Sequence, residues 1–188
     1  MFDEAEIRQA ITNIIKAIGE NPKREGLADT PKRVAEMYAE LFQGLGQDPK
    51  EELEVGFEEG HREMVIVRDI PFYSMCEHHL LPFHGVAHIG YLPNADGRVV
   101  GASKLARVVE IIAMRPQLQE RMTTQIADTI VDGIEPDGVA VIVQAEHLCM
   151  IMRGIKKPGS AIVTSALRGT FRSRVETRTE FFSLLQGK

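Results

Sequence analysis

Soft metal-ligating side chains are scarce in this chain and fall in two places. The first is Cys76-Glu77-His78-His79, followed closely by His84 and His88; the second is His147-Leu148-Cys149. The chain has only two cysteines and six histidines, and both cysteines and all the histidines but His61 lie in these segments. A Cys-x-x-His spacing lets a thiolate and an imidazole reach one ion from a single tight turn, and such a sulfur–nitrogen pair suits zinc in particular. If 147–149 is a strand, His147 and Cys149 share a face and both can look into one site. The fold must then bring the 147–149 segment back to the 76–79 turn. The expected ligands are Cys76, His79 and Cys149 with a fourth position open, which is the catalytic arrangement. A closed, structural zinc site with His78 or His147 as fourth ligand stands beside it. In the open case His78 and His147 are free to carry protons, since imidazole titrates near neutral pH. His84 and His88 are expected to be scaffold residues on a strand, and His61 to lie at the surface.

A chain of 188 residues, 44% hydrophobic and 26% charged, is expected to fold around its own core. No apolar run approaches the roughly 18 residues of a membrane span, and the acidic start MFDEAEIRQA is unlike a signal peptide. Two cysteines make no disulfide framework, so a cytoplasmic protein is expected. The net charge of −5 conceals a split, because the acidic excess lies in residues 1–63, whereas the segment from Arg153 to Arg178 is strongly basic. A nucleic-acid coat would be basic throughout. Local basic residues in an acidic chain suit a small phosphorylated anion instead, with no nucleic acid and no membrane as partner.

Apolar spacing predicts a helix over 3–18 capped by Asp3, and a second helix with Thr30 as its cap and Pro31 as its first residue, ending at Gly44. The Gly- and Glu-rich stretch 44–62 reads as an exposed loop. MVIVRDI and HGVAHIGYLP read as strands, with PNADGR as a turn. Ser103 is expected to cap a helix from Lys104 to about Met114, and Pro116 to open another through Ile130. VAVIVQAEHLCMIM reads as one long strand, SAIVTSALRGTF as a further strand, and VETRTEFFSLLQ as a terminal helix. The order predicts an α+β fold with an antiparallel sheet, organised as an N-terminal helical region 1–63 and a catalytic domain 64–188.

Ser103-Lys104 at a helix start offers backbone N–H groups, a hydroxyl and an ammonium, which together make a seat for phosphate. Arg107 lies one turn on along the same face. Arg153, four residues after Cys149, is expected on a strand near the metal. Gln119 and Glu120, in RPQLQER, read as ordinary helix-surface residues by pattern alone.

The segments SMCEHHLLPFHG, GASKLARVVE, RPQLQERMTTQIA and AEHLCMIMRGIKKPGSAIVTSALRG together resemble GTP cyclohydrolase I, and the resemblance runs from about Gly26 to the C-terminus. It implies conversion of GTP and water to 7,8-dihydroneopterin triphosphate and formate, the entry to tetrahydrofolate or pterin synthesis. It places the family's zinc ligands on Cys76, His79 and Cys149, and its acid/base histidines on His78 and His147. Gln119 and Glu120 would hold the guanine edge, where a carboxylate can accept from N1–H and the amino group. Ser103, Lys104, Arg107 and Arg153 would serve the triphosphate and ribose, with Arg33 as an addition and Ser103 also assisting catalysis. The implied fold is the tunnelling fold, a four-stranded antiparallel sheet with helices packed on one side. The implied assembly is a toroidal homodecamer with active sites at subunit interfaces, in a cytoplasmic, allosteric enzyme. Two departures are Ala102, where the family commonly has leucine, and Glu36, where some relatives have lysine. A purine deaminase would need a Pro-Cys-x-x-Cys pair together with a His-x-Glu motif; His61-Arg62-Glu63 fits the second spacing, but no Pro-Cys-x-x-Cys occurs.

Overall fold

The computed structural model describes residues 2–186, and the chain divides into two units, Met1–Gln43 and Gly44–Lys188. The first unit pairs α1 (Glu4–Ala17) with α2 (Thr30–Leu41). Asp3 caps α1 as expected, its carboxylate accepting from the Glu6 N–H at 3.0 Å. Gly19, at φ +88°, allows the chain to leave the helix. The cap of α2 falls on Asp29, so Thr30 is the first helical residue instead.

Near its start the second unit has a 3-10 turn, Pro49–Leu53, whose Leu53 is fully buried. The 44–62 stretch is therefore not the wholly exposed loop its composition suggests. It also contains β1 (Gly56–Glu58), which joins β4 (Arg98–Val100) in a two-stranded sheet. Between them run β2 (Val65–Cys76) and β3 (Leu81–Leu92), an antiparallel hairpin that pairs Cys76 with Leu81 across the turn 77–80. After β4 come α3 (Ala102–Ala113), β5 (Pro116–Gln117) and α4 (Gln119–Ile134). Two more strands, β6 (Gly138–His147) and β7 (Ile162–Gly169), are joined through the single turn α5 (Leu148–Ile151). The chain closes with α6 (Thr170–Ser173) and α7 (Val175–Gln186).

The main sheet has five strands in the order β5-β2-β3-β6-β7. Four long strands are antiparallel, and β5 adds two residues parallel to the end of β2. The sheet is thus mixed, where a four-stranded antiparallel one was expected. Prolines often open helices, but Pro116 lies in this edge strand and α4 starts only after Leu118, so Pro116 opens no helix. This places Gln117 opposite Cys76 and the start of α4 beside the metal-candidate turn.

β6 explains why its sequence is apolar almost throughout. Val139, Val141 and Val143 belong to the core under α3 and α4, while Ala140 and Ile142 face a second cluster with Phe171 and Phe181. A strand covered on both faces has no polar alternation to show. Helices α3 and α4 lie on one face, and α7 covers part of the other. Its Phe181 packs onto the backbone of Gly90, where any Cβ would stand 2.6 Å from the ring, so β3 requires glycine there.

Candidate active site

The turn 77–80 is held from both sides. The Cys76 carbonyl accepts N–H bonds from His79 (3.3 Å) and Leu80 (2.8 Å), and the Glu77 N–H donates to Gln117 O at 3.1 Å. Leu80 has φ +50°, a left-handed conformation that leucine rarely adopts. Arg121, in the first turn of α4, clamps the Glu77 carboxylate with both terminal nitrogens, one of them at 3.0 Å. That bidentate pair keeps the Glu77 carboxyl below the usual carboxylate range. The turn that displays His78 and His79 is thereby tied to the helix that displays Gln119 and Glu120.

Candidate ligand atoms of Cys76, His79 and Cys149 all lie within 4.8 Å of one another, and both cysteines are free thiols. The route to this cluster differs from the expectation. β6 ends at His147, and Cys149 sits on the helical turn α5, so the two do not share a strand face. The turn nonetheless delivers the thiol to the same place. Arg153 also stands on no strand but in the bend after α5, with Nη1 3.1 Å from His79 Nε2 and 3.5 Å from the Cys149 carbonyl. A guanidinium only donates, so Nε2 is the acceptor in this contact. Burial, and then the neighbouring Cys76, push the Cys149 thiol up. A divalent cation would reverse that by pairing with thiolates. Two thiols and an imidazole converging on one point fit a soft, tetrahedral-preferring dication.

His147 is 7% exposed, and its ring stacks on Phe83 with centroids 4.5 Å apart and 3° between planes. Its Nε2 lies 2.8 Å from Gln119 Oε1. The Gln119 amide nitrogen faces three acceptors, Val143 O and Ile162 O at 3.0 Å and Thr164 Oγ1 at 3.1 Å. That leaves Oε1 as the acceptor, so His147 carries its proton on Nε2 and keeps a lone pair on Nδ1. Burial lowers the pKa of His147, against a smaller opposing pull from Glu120.

A pocket of about 440 Å³ opens over these groups, lined by Cys76, His78, His79, Gln119, Glu120, His147, Cys149 and Arg153. The remaining expected residues lie elsewhere. Ser103, Lys104 and Arg107 are on α3 and are not among the pocket's lining residues. Ser103 is not the cap, because Gly101 takes that position, and Ser103 sits inside the first turn. Lys104 and Arg107 pair with Glu52, at 2.9 and 3.7 Å. Arg33 belongs to the first unit, on α2, paired with Asp29 at 3.2 Å. Sequence reasoning missed the clamp of Arg121 on Glu77 and the pairing of Glu52. Neither has a sequence signal, since single charges at helix-surface spacing look alike.

Comparison with known proteins agrees with this geometry. The family model for GTP cyclohydrolase I matches residues 7–186. A GTP cyclohydrolase 1 of Dehalococcoides mccartyi (strain ATCC BAA-2266 / KCTC 15142 / 195) is 69% identical over 188 residues, covering 100% of both chains. Those of Pelotomaculum thermopropionicum and Geobacillus kaustophilus are 61% identical over 188 residues and 59% identical over 182 residues, the latter covering 97% of this chain and 96% of its own. A crystal structure of the archaeosine synthase QueF-Like in the apo form aligns with 56% of this chain and 93% of its own, at TM-score 0.47 and 17% identity, too slight a likeness to add to the assignment. Among the described residues no helix is long and apolar enough to cross a membrane.

Proposed function

The chain belongs to the GTP cyclohydrolase I family, and from that premise we propose that it converts GTP and water to 7,8-dihydroneopterin triphosphate and formate, at the entry to tetrahydrofolate or pterin synthesis. The observation that carries this reading is the convergence of Cys76, His79 and Cys149 beside two histidines in one pocket. The thiol and imidazole donors favour zinc among divalent metals. Zinc, when bound, supplies Lewis-acid activation of water at neutral pH.

The chain's own side chains do the rest. Opening the purine at C8 requires a proton at N7, and His78, in the ligand turn, is the group we assign to give it. A second hydrolysis releases C8 as formate. The ribose then rearranges to an amino-ketone, which requires a base, and His147 offers Nδ1 because Gln119 holds the proton on Nε2. Ser103 assists this step, and ring closure returns one water and leaves the pterin. Glu120 takes the guanine N1–H and amino group. Gln119, expected at the same edge, has its amide directed at protein groups, so we assign it to orienting His147. Lys104, Arg107, Arg153 and Arg33 hold the triphosphate. That several of these lie outside the pocket supports a homodecameric ring of tunnelling-fold subunits in which neighbouring chains complete each site.

Zinc-replete protein incubated with GTP should release formate and a fluorescent pterin. No formate would overturn the function. His78→Ser with zinc retained should lose dihydroneopterin formation, and near-normal turnover would overturn the proton assignment.

A further inference from the structure

The cations assigned to the triphosphate already face an anion of the chain's own. Lys104 Nζ lies 2.9 Å from Glu52 Oε2 and Arg107 Nη1 lies 3.7 Å from Glu52 Oε1, so each carboxylate oxygen faces one cation. Lys104 and Arg107 stand one turn apart on α3, and Glu52 arrives from the 3-10 turn Pro49–Leu53. That turn is anchored. Leu53 is fully buried and lies so close to Gly133 of α4 that a Cβ there would come within 2.6 Å of its Cδ1. At the other end Asp48 accepts from the Lys50 N–H at 3.0 Å. Glu52 is therefore held against α3 by the core, with a side chain only 22% exposed. The Lys104 hydrogen bond, followed by the charges of Lys104 and Arg107, keeps its carboxyl below the usual range.

A carboxylate placed this way makes the same demand on Lys104 and Arg107 that a phosphate oxygen would make. An ammonium has three N–H donors and a guanidinium five, so donors remain for a ligand. A fixed negative charge beside them nevertheless repels each phosphate group that approaches.

We propose that Glu52 is the resident counter-anion of this site: it holds Lys104 and Arg107 in place before the polyphosphate arrives, then competes with it for them. Its charge thus sets how tightly the triphosphate is held and how readily the product leaves. This rests on the reading of Lys104 and Arg107 as triphosphate cations.

Binding of inorganic tripolyphosphate to the zinc-replete protein, measured by calorimetry at low salt, tests both levels. Glu52→Gln should bind it about five-fold tighter, the scale of one partly exposed charge pair. The gain should shrink at about 0.5 M salt, where screening shortens to a few ångströms. The KM for GTP should fall alongside. Lys104→Met should bind about ten-fold more weakly or worse, the scale of a charged hydrogen bond. If Glu52→Gln binds no tighter while Lys104→Met binds more weakly, Glu52 is only a brace, and the inference falls while the phosphate reading stands. If Lys104→Met binds as well as the unmodified chain, the phosphate reading falls and takes the inference with it. Should Glu52→Gln melt early, Glu52→Asp keeps the charge but withdraws it by one methylene, and a smaller gain in affinity is expected. No gain from a folded Glu52→Asp would overturn the inference equally.

Discussion

The pair assigned to proton transfer, Gln119 and His147, and the cations assigned to the phosphates are built to different standards. Gln119 is 1% exposed, its amide faces protein acceptors, and the histidine it orients is clamped against a phenylalanine ring. Arg107, by contrast, is 61% exposed and pairs with a carboxylate at 3.7 Å. Proton transfer depends on which nitrogen carries the proton and where its lone pair points, so misorientation is costly. Holding a triphosphate asks mainly for positive charge, which acts at a distance and tolerates mobile side chains. The proton-transfer side is thus fixed by packing, and the phosphate side by electrostatics.

Three measurements would sharpen or break that contrast. The largest effect is expected from Cys149→Ser. It removes one of the three proposed metal ligands, so it should exceed the roughly 10–100-fold loss typical of outer-shell changes. Zinc content after dialysis should fall and formate release should drop about a thousand-fold; a variant that kept full zinc would remove Cys149 from the ligand set. Gln119→Leu comes next. It leaves the Val143 and Ile162 carbonyls and the His147 N–H without their partner, at about 1–3 kcal/mol each for a buried group. The expected result is a lowered melting temperature and a kcat about 10–100-fold lower, with zinc retained. A higher KM at unchanged kcat would instead return Gln119 to the guanine edge. The smallest effect is that of ionic strength. Raising salt from about 0.05 to 0.5 M should raise the KM for GTP a few-fold and leave kcat nearly constant, because exposed charges are screened and buried hydrogen bonds are not. A matching fall in kcat would mean that the two sides are not built differently after all.

What the sequence revealed follows the same divide. The metal cluster was legible because cysteine and histidine are rare, and their chemistry is nearly independent of whether they lie on strand or helix. The backbone that carries them was not. LCMIM continues the apolar run of β6, and so short a run does not distinguish strand from helix. Position 149 therefore reached the site by a helical turn, not by strand alternation. Serine is a common helix cap, yet Gly101 occupies the position ahead of Ser103 without any side-chain bond. Gln119 reads as a surface residue in any helical pattern, and only tertiary neighbours satisfy its amide so that it can be buried. Glu52 was least visible, since it stands among other acids beside a single leucine whose burial depends on α3 and α4.

The two ends of the main sheet have a consequence for how copies of the chain behave in a crowded solution. Among the described residues β7 ends the strand order with no strand beyond it, and on the opposite edge β5 covers only Met75 and Cys76 of the long β2. β7 carries Val163, 61% exposed, along its length. Open ladders of this kind accept another strand from whichever molecule offers one. Joined edge to edge into a closed barrel, they lose their edges altogether; left unjoined, they are templates for aggregation. An open edge of this kind makes strand pairing between copies depend on their concentration.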